Sequence, residues 1–131
     1  MSSVFADPQK NRLYILLDSM ADDEVQIMLK AISSEIKKIR GGFTCLVDIR
    51  NLALVFGEHE TNHVETIQRV LKESGLSNVV RVIGQDSFRR YIHNRMNDIS
   101  RVAGCIADAA ETFQEAERML DRYRSRPVVV G

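Results

Sequence analysis

Residues 59–63 read HETNH. On a helix this spacing sets two histidines one turn apart with a glutamate beside them, the arrangement in which zinc proteases hold a metal and a general base. Three other groups of residues carry chemistry by type and position. Asp18, Asp48 and Asp108 each end or closely follow a short apolar run, and open α/β sheets bind ligands at the carboxyl ends of their strands. SFRRYIHNRMNDISR, residues 87–101, gathers Arg89, Arg90, Arg95 and Arg101 with His93, behind an Asp86 or Ser87 that can cap a helix whose amides attract an anion. LALVF, residues 52–56, sets five apolar side chains in a row where a connection between elements is normally polar.

The elements that must position these groups follow from periodicity. RLYILLD (12–18), FTCLVDI (43–49), VVRVIG (79–84) and VAGCIA (102–107) are short apolar runs rich in β-branched residues, which predicts strands buried on both faces. SVFA (3–6), set off by the turn-like DPQKN, is a candidate antiparallel edge strand. Helical spacing lies between the runs. Val25, Met28, Leu29, Ile32, Ile36 and Ile39 make one stripe, opened by Asp22, Asp23 and Glu24 and closed by Lys37, Lys38, Arg40 and the Gly41-Gly42 pair. A second helix runs from about Glu58 to Ser74 over Val64, Ile67, Val70 and Leu71 and stops at Gly75-Leu76. A third starts at Asp86 or Ser87 and carries Phe88, Ile92, Met96 and Ile99. The fourth opens on the capping box Thr112 to Glu115 and buries Phe113, Ala116, Met119, Leu120 and Tyr123. Strand and helix alternate, so the fold class is α/β: one domain over 1–131 with a mostly parallel sheet of four to five strands and about four helices. The apolar tail beyond Arg126-Pro127 leaves three courses open: disorder, packing back, or joining a partner's sheet edge.

Placed on these elements, the four groups divide. His63 lies beside the apolar stripe of the second helix, Glu60 falls on it in the first turn, and His59 drifts to its edge. The histidines are neighbours, yet no third ligand follows and Glu65 stands where the longer protease pattern wants an apolar residue. The expectation is therefore no metal and no cofactor, with the acids complementing the helix dipole. Phosphoreceiver domains look similar at their strand ends, but their acceptor acid closes the third strand and a lysine ends the fifth. Here Asp48 closes the second long run and no run ends in lysine. The arginines form a solvated face or, failing that, an anion patch centred on Arg89 and Arg90.

Eighteen basic and eighteen acidic residues give a formal charge of zero, so no whole-molecule field draws the chain to nucleic acid or to an anionic membrane. No apolar run approaches the roughly 20 residues of a membrane span and the first residues lack a secretory pattern, which leads to the expectation of a cytoplasmic protein. Cys45 and Cys105 each sit inside an apolar run, as small buried side chains do. None of the seven glycines forms a phosphate loop, and no catalytic residue is assigned.

The βαβαβαβα order, the acid closing the second long strand in GFTCLVDIRNL and the TFQEAERML that starts the last helix resemble the STAS or SpoIIAA-like superfamily, in particular its small standalone bacterial proteins. The likeness spans most of the chain. It implies a SpoIIAA-like fold and action through protein contacts, as a homodimer or with another protein, rather than catalysis. In the anti-sigma-factor antagonist branch a serine after this strand is phosphorylated; Asp48 matches the strand-end acid, but RNLALVFGEHE carries no hydroxyl and Thr61 is the nearest one downstream. The equivalent region in STAS domains meets partner proteins, which makes Leu54, Val55 and Phe56 the expected partner-binding residues. The alternative is a small-molecule or metal-binding domain that uses Asp48, His59 and His63.

Overall fold

The computed structural model describes residues 2–52, 58–101, 104 and 106–125. Five strands, β1 (Ser3–Asp7), β2 (Arg12–Leu16), β3 (Thr44–Asp48), β4 (Asn78–Val82) and β5 (Asp108–Ala110), form one sheet in their sequence order. β1 is antiparallel to β2, and β2 to β5 are parallel. The helices α1 (Asp22–Ile36), α2 (Glu58–Glu73), α3 (Ser87–Ser100) and α4 (Phe113–Ser125) alternate with the strands from β2 onward.

Sequential order fixes where the helices go. Each crossover from β2 to β5 steps the same way along the sheet, and right-handed crossovers that do so all fall on one face. Accordingly α1, α2 and α3 bury Val25, Met28, Ile32, Val64, Ile67, Leu71, Ile92 and Met96 against Leu13, Ile15, Cys45, Val47 and Val79. The residues between these along the strands point the other way, and Tyr14, Leu46, Val80 and Val82 pack under Ala116 and Leu120 of α4. Central strands thus bury both faces, which is why they read as unbroken apolar runs.

The turns obey their residues. Asp7 accepts from the amides of Gln9 (2.9 Å) and Lys10 (3.3 Å), closing the turn before Asn11, which takes a positive φ of 52°. The α2 stop is as expected: Gly75 has φ 106°, and the Leu76 amide bonds back to Leu71 at 3.1 Å. A Cβ at Gly75 would stand 2.8 Å from the Cα of Gly41, and the Gly42 amide donates to the Gly75 carbonyl at 2.7 Å, so two loops pass in backbone contact there. Thr112 Oγ1 accepts from the Glu115 amide at 3.1 Å, while the Glu115 carboxylate reaches the Glu111 amide, one residue short of a reciprocal box.

Three expectations need correction. The last strand is Asp108–Ala110, and of the expected run 102–107 the described residues Gly104, Ile106 and Ala107 lie outside it. Gly104 has φ 69° in a turn whose amide bonds Arg101, and the amide and carbonyl of Ala107 are both taken by the Asn97 side chain, so strand pairing cannot begin before Asp108. Asp108 consequently opens β5 instead of following a strand. α1 ends at Ile36, and Ile39 sits beyond it in a tighter turn. Phe88, expected on the buried stripe of α3, is 45% exposed and packs against Tyr91, with ring centroids 6.5 Å apart. Cys45 is fully buried in the core; Cys105, residues 53–57 and residues 126–131 lie outside the described residues. No described helix is long and apolar enough to cross a membrane.

Candidate functional site

Asp48 ends β3, and its carboxylate is occupied by its own loop. Oδ1 accepts from the Arg50 amide at 3.0 Å and the Arg50 guanidinium grips both oxygens, with Nη2 2.7 Å from Oδ2. The aliphatic part of Arg50 lies over Gly84 at the end of β4, so this side chain spans the carboxyl ends of two neighbouring strands. Leu52, the first of the five apolar loop residues, is fully buried and closes the core below them. The expected partner-binding residues Leu54, Val55 and Phe56 lie outside the described residues.

His63 projects from the first half of α2 toward the start of α1, and its Nε2 lies 2.6 Å from Asp22 Oδ1. Asp22 is held below the usual carboxylate range, first by this bond and, against slight desolvation, by the charges of His59 and His63. The helix therefore brings His63 to a carboxylate that also feels the charge of His59, but it is Asp22, from the start of α1, and not Asp48. Among the described residues neither histidine bonds Asp48, and no group of three metal-ligating side chains gathers.

Arg89, Arg95 and Arg101 are also matched locally. Asp86 caps the helix by accepting from the Phe88 amide at 2.8 Å, and its other oxygen takes Arg89 Nη1 at 2.8 Å. Arg89 lies 5.5 Å from the centre of the Phe88 ring. Arg95 and Arg101 both stand opposite Asp98, at 3.9 and 3.7 Å; Arg90 is exposed on the same helix.

Two polar clusters were not legible as such in the sequence. In the first, Arg81 sits in the middle of β4, 1% exposed, on the face toward α3. Its Nη1 donates to Asn97 Oδ1 (2.7 Å), to His93 Nδ1 (3.2 Å) and to the His93 carbonyl (3.4 Å). A guanidinium only donates, so His93 Nδ1 accepts and the ring is neutral. Asn97 completes the cluster by bonding the Ala107 amide (3.0 Å) and carbonyl (2.9 Å), as a neighbouring strand would. In the second, Arg12 is fully buried at the start of β2; its guanidinium reaches Thr44 Oγ1 (2.9 Å), Glu117 and Asp121 (2.9 Å). Lys10 also pairs with Glu117 at 2.8 Å. Burial, then a bond to Glu117, raises the phenol of Tyr14, while Lys10, Tyr14 and Arg12 hold Glu117 low against its own desolvation.

Burial, the positive charge of Arg81 and that of Arg90 push His93 down to about 4, with Asp108 opposing them weakly. A histidine whose folded pKa is depressed adds stability that is complete above its unfolded value and lost as pH falls. The window runs from about pH 6.5 to about 4, at up to about 1.4 kcal/mol per unit of pH. Urea denaturation across that window is expected to show this slope, and His93→Gln, which keeps an acceptor for Arg81, is expected to flatten it. An unchanged slope in the variant would show that His93 takes up its proton alike in the folded and the unfolded chain.

No family model matches this sequence, and no curated protein matches it either.

Proposed function

We propose that this chain is a STAS-like regulatory or scaffolding protein that acts by binding protein, including a second copy of itself, and not by catalysis. The observation that carries the reading is the occupation of the β3 strand end: Asp48 is bound twice over by Arg50, which also lies across the end of β4. Topology supports it. In an open parallel sheet a ligand crevice forms where adjacent strands send their connections to opposite faces. β3 and β4 both connect to helices on the α1–α3 face, so the order of the elements does not make the end of β3 a point where connections part to opposite faces. His63 of α2 bonds Asp22 at the start of α1 rather than Asp48. These features weigh against the small-molecule or metal-binding alternative at Asp48, His59 and His63. The order of elements, with one antiparallel edge strand and a βα succession, supports the SpoIIAA-like resemblance.

On this reading the partner surface includes Leu54, Val55 and Phe56, and the absence of any hydroxyl in RNLALVFGEHE means that association is not switched by phosphorylation there. Phe56→Asp is the test. It is expected to leave the melting temperature close to that of the parent and to lower the apparent mass in light scattering. A loss on the order of 3 kcal/mol with association unchanged would make Phe56 a core residue and remove this surface from the account.

A further inference from the structure

β5 has three residues and pairs with β4 at the edge of the sheet. Side chains fix its approach. Ala107, just before it, donates its amide to Asn97 Oδ1 (3.0 Å) and accepts Asn97 Nδ2 on its carbonyl (2.9 Å). Asn97 Oδ1 also accepts from Arg81 Nη1 (2.7 Å), and the same Nη1 donates to Nδ1 of His93 (3.2 Å), one turn earlier on α3. The entry to β5 is thus held by a relay from Arg81 through Asn97 to Ala107, with the His93 ring against its cation.

The relay requires a lone pair on His93 Nδ1, since a guanidinium only donates. A proton there turns the acceptor into a second donor and sets two cations face to face with their nitrogens 3.2 Å apart, where Arg81 is 1% and His93 5% exposed. Water screens little at such a site.

The surrounding charges do not offset this. Arg90, on the same helix, adds to the repulsion, and Arg89, one turn before the ring, is turned to Asp86 at 2.8 Å. Asp108 of β5 acts only weakly, because its carboxylate accepts from Tyr123 on the α4 side of the sheet. α2 meets the interior beside Arg81 and Met96 with Val64, Ile67, Gln68 and Leu71, none of which titrates. Arg81 is fixed in the middle of β4, so the junction between α3 and β5 is what must yield. β1 to β4 are joined by pairings of five residues each, none of which runs through the relay.

We propose that His93 is a proton-sensitive latch for β5: uptake of a proton at Nδ1 frees Ala107 and β5 from β4, while β1 to β4 stay paired. The released form presents the edge of β4, an apolar strand, to the solvent.

Amide hydrogen exchange followed by NMR, each rate divided by that of an unstructured chain at the same pH, tests the latch in the full chain, with the titration of the His93 ring read in the same samples. Opening at Ala107, Ala109 and Ala110 relative to Leu46 and Val47 of β3 is expected to grow by up to about ten-fold per unit of pH between 6.5 and about 4, in step with the ring. In His93→Gln the ratio is expected to stay constant. Loss of protection at β5 and β3 together, or the same growth in His93→Gln, would overturn the proposal. So would growth out of step with the ring titration of the parent chain, a comparison that decides the matter even where the variant does not fold.

Discussion

Arg12→Met is expected to cost about 3 kcal/mol or more in urea denaturation at neutral pH. The guanidinium is fully buried and satisfies three side chains from two other elements, Thr44 on β3 and Glu117 and Asp121 on α4. Removing it leaves the partly buried Glu117 carboxylate with only Lys10 and Tyr14 beside it, and an uncompensated charge is what makes breaking such a pair costly. Lys10→Met is the internal control. Lys10 is more than a third exposed and donates to the same carboxylate, so its loss is expected to cost about 1 kcal/mol or less. Equal costs for the two variants would show that burial of Arg12 contributes nothing special.

Asn97→Ala is expected to cost about 3 kcal/mol, from three lost bonds of which one is to a charged donor. The cost should be local as well as global. Asn97 holds the Ala107 backbone that leads into β5, a strand of only three residues, so hydrogen exchange at Asp108, Ala109 and Ala110 is expected to quicken more than at β3. Uniform quickening across the sheet would mean that β5 does not depend on this side chain for its docking.

These two clusters also mark where the sequence stopped being readable. The strands holding Arg12 and Arg81 were recognisable because their neighbours are apolar and β-branched, and the alternation of faces then fixed which residues meet which helices. The arginines themselves gave no sign of their partners, since Arg12 meets residues more than a hundred positions away and Arg81 meets a histidine and an asparagine that look like parts of a solvated helix face. One signal was available: a cation inside a run of residues buried on both faces must find acceptors, and the helix packed over it is the place to look. Short-range chemistry was more legible. The Asx turn at Asp7, the cap at Asp86 and the helix stop at Gly75 all follow from residues within a few positions. VAGCIA misled because Gly104 supplied a turn where composition suggested a strand interior, and HETNH showed that the two histidines neighbour each other but not that Asp22, forty-one positions away, is what His63 meets.

The central claim is that the chain works through protein contacts, its own second copy among them. Sedimentation equilibrium of the full chain over a wide range of micromolar concentrations tests it most directly. The account predicts a mass that rises with concentration toward twice that of one chain, and that falls back in Phe56→Asp. A single-chain mass at every concentration, for parent and variant alike, would contradict it.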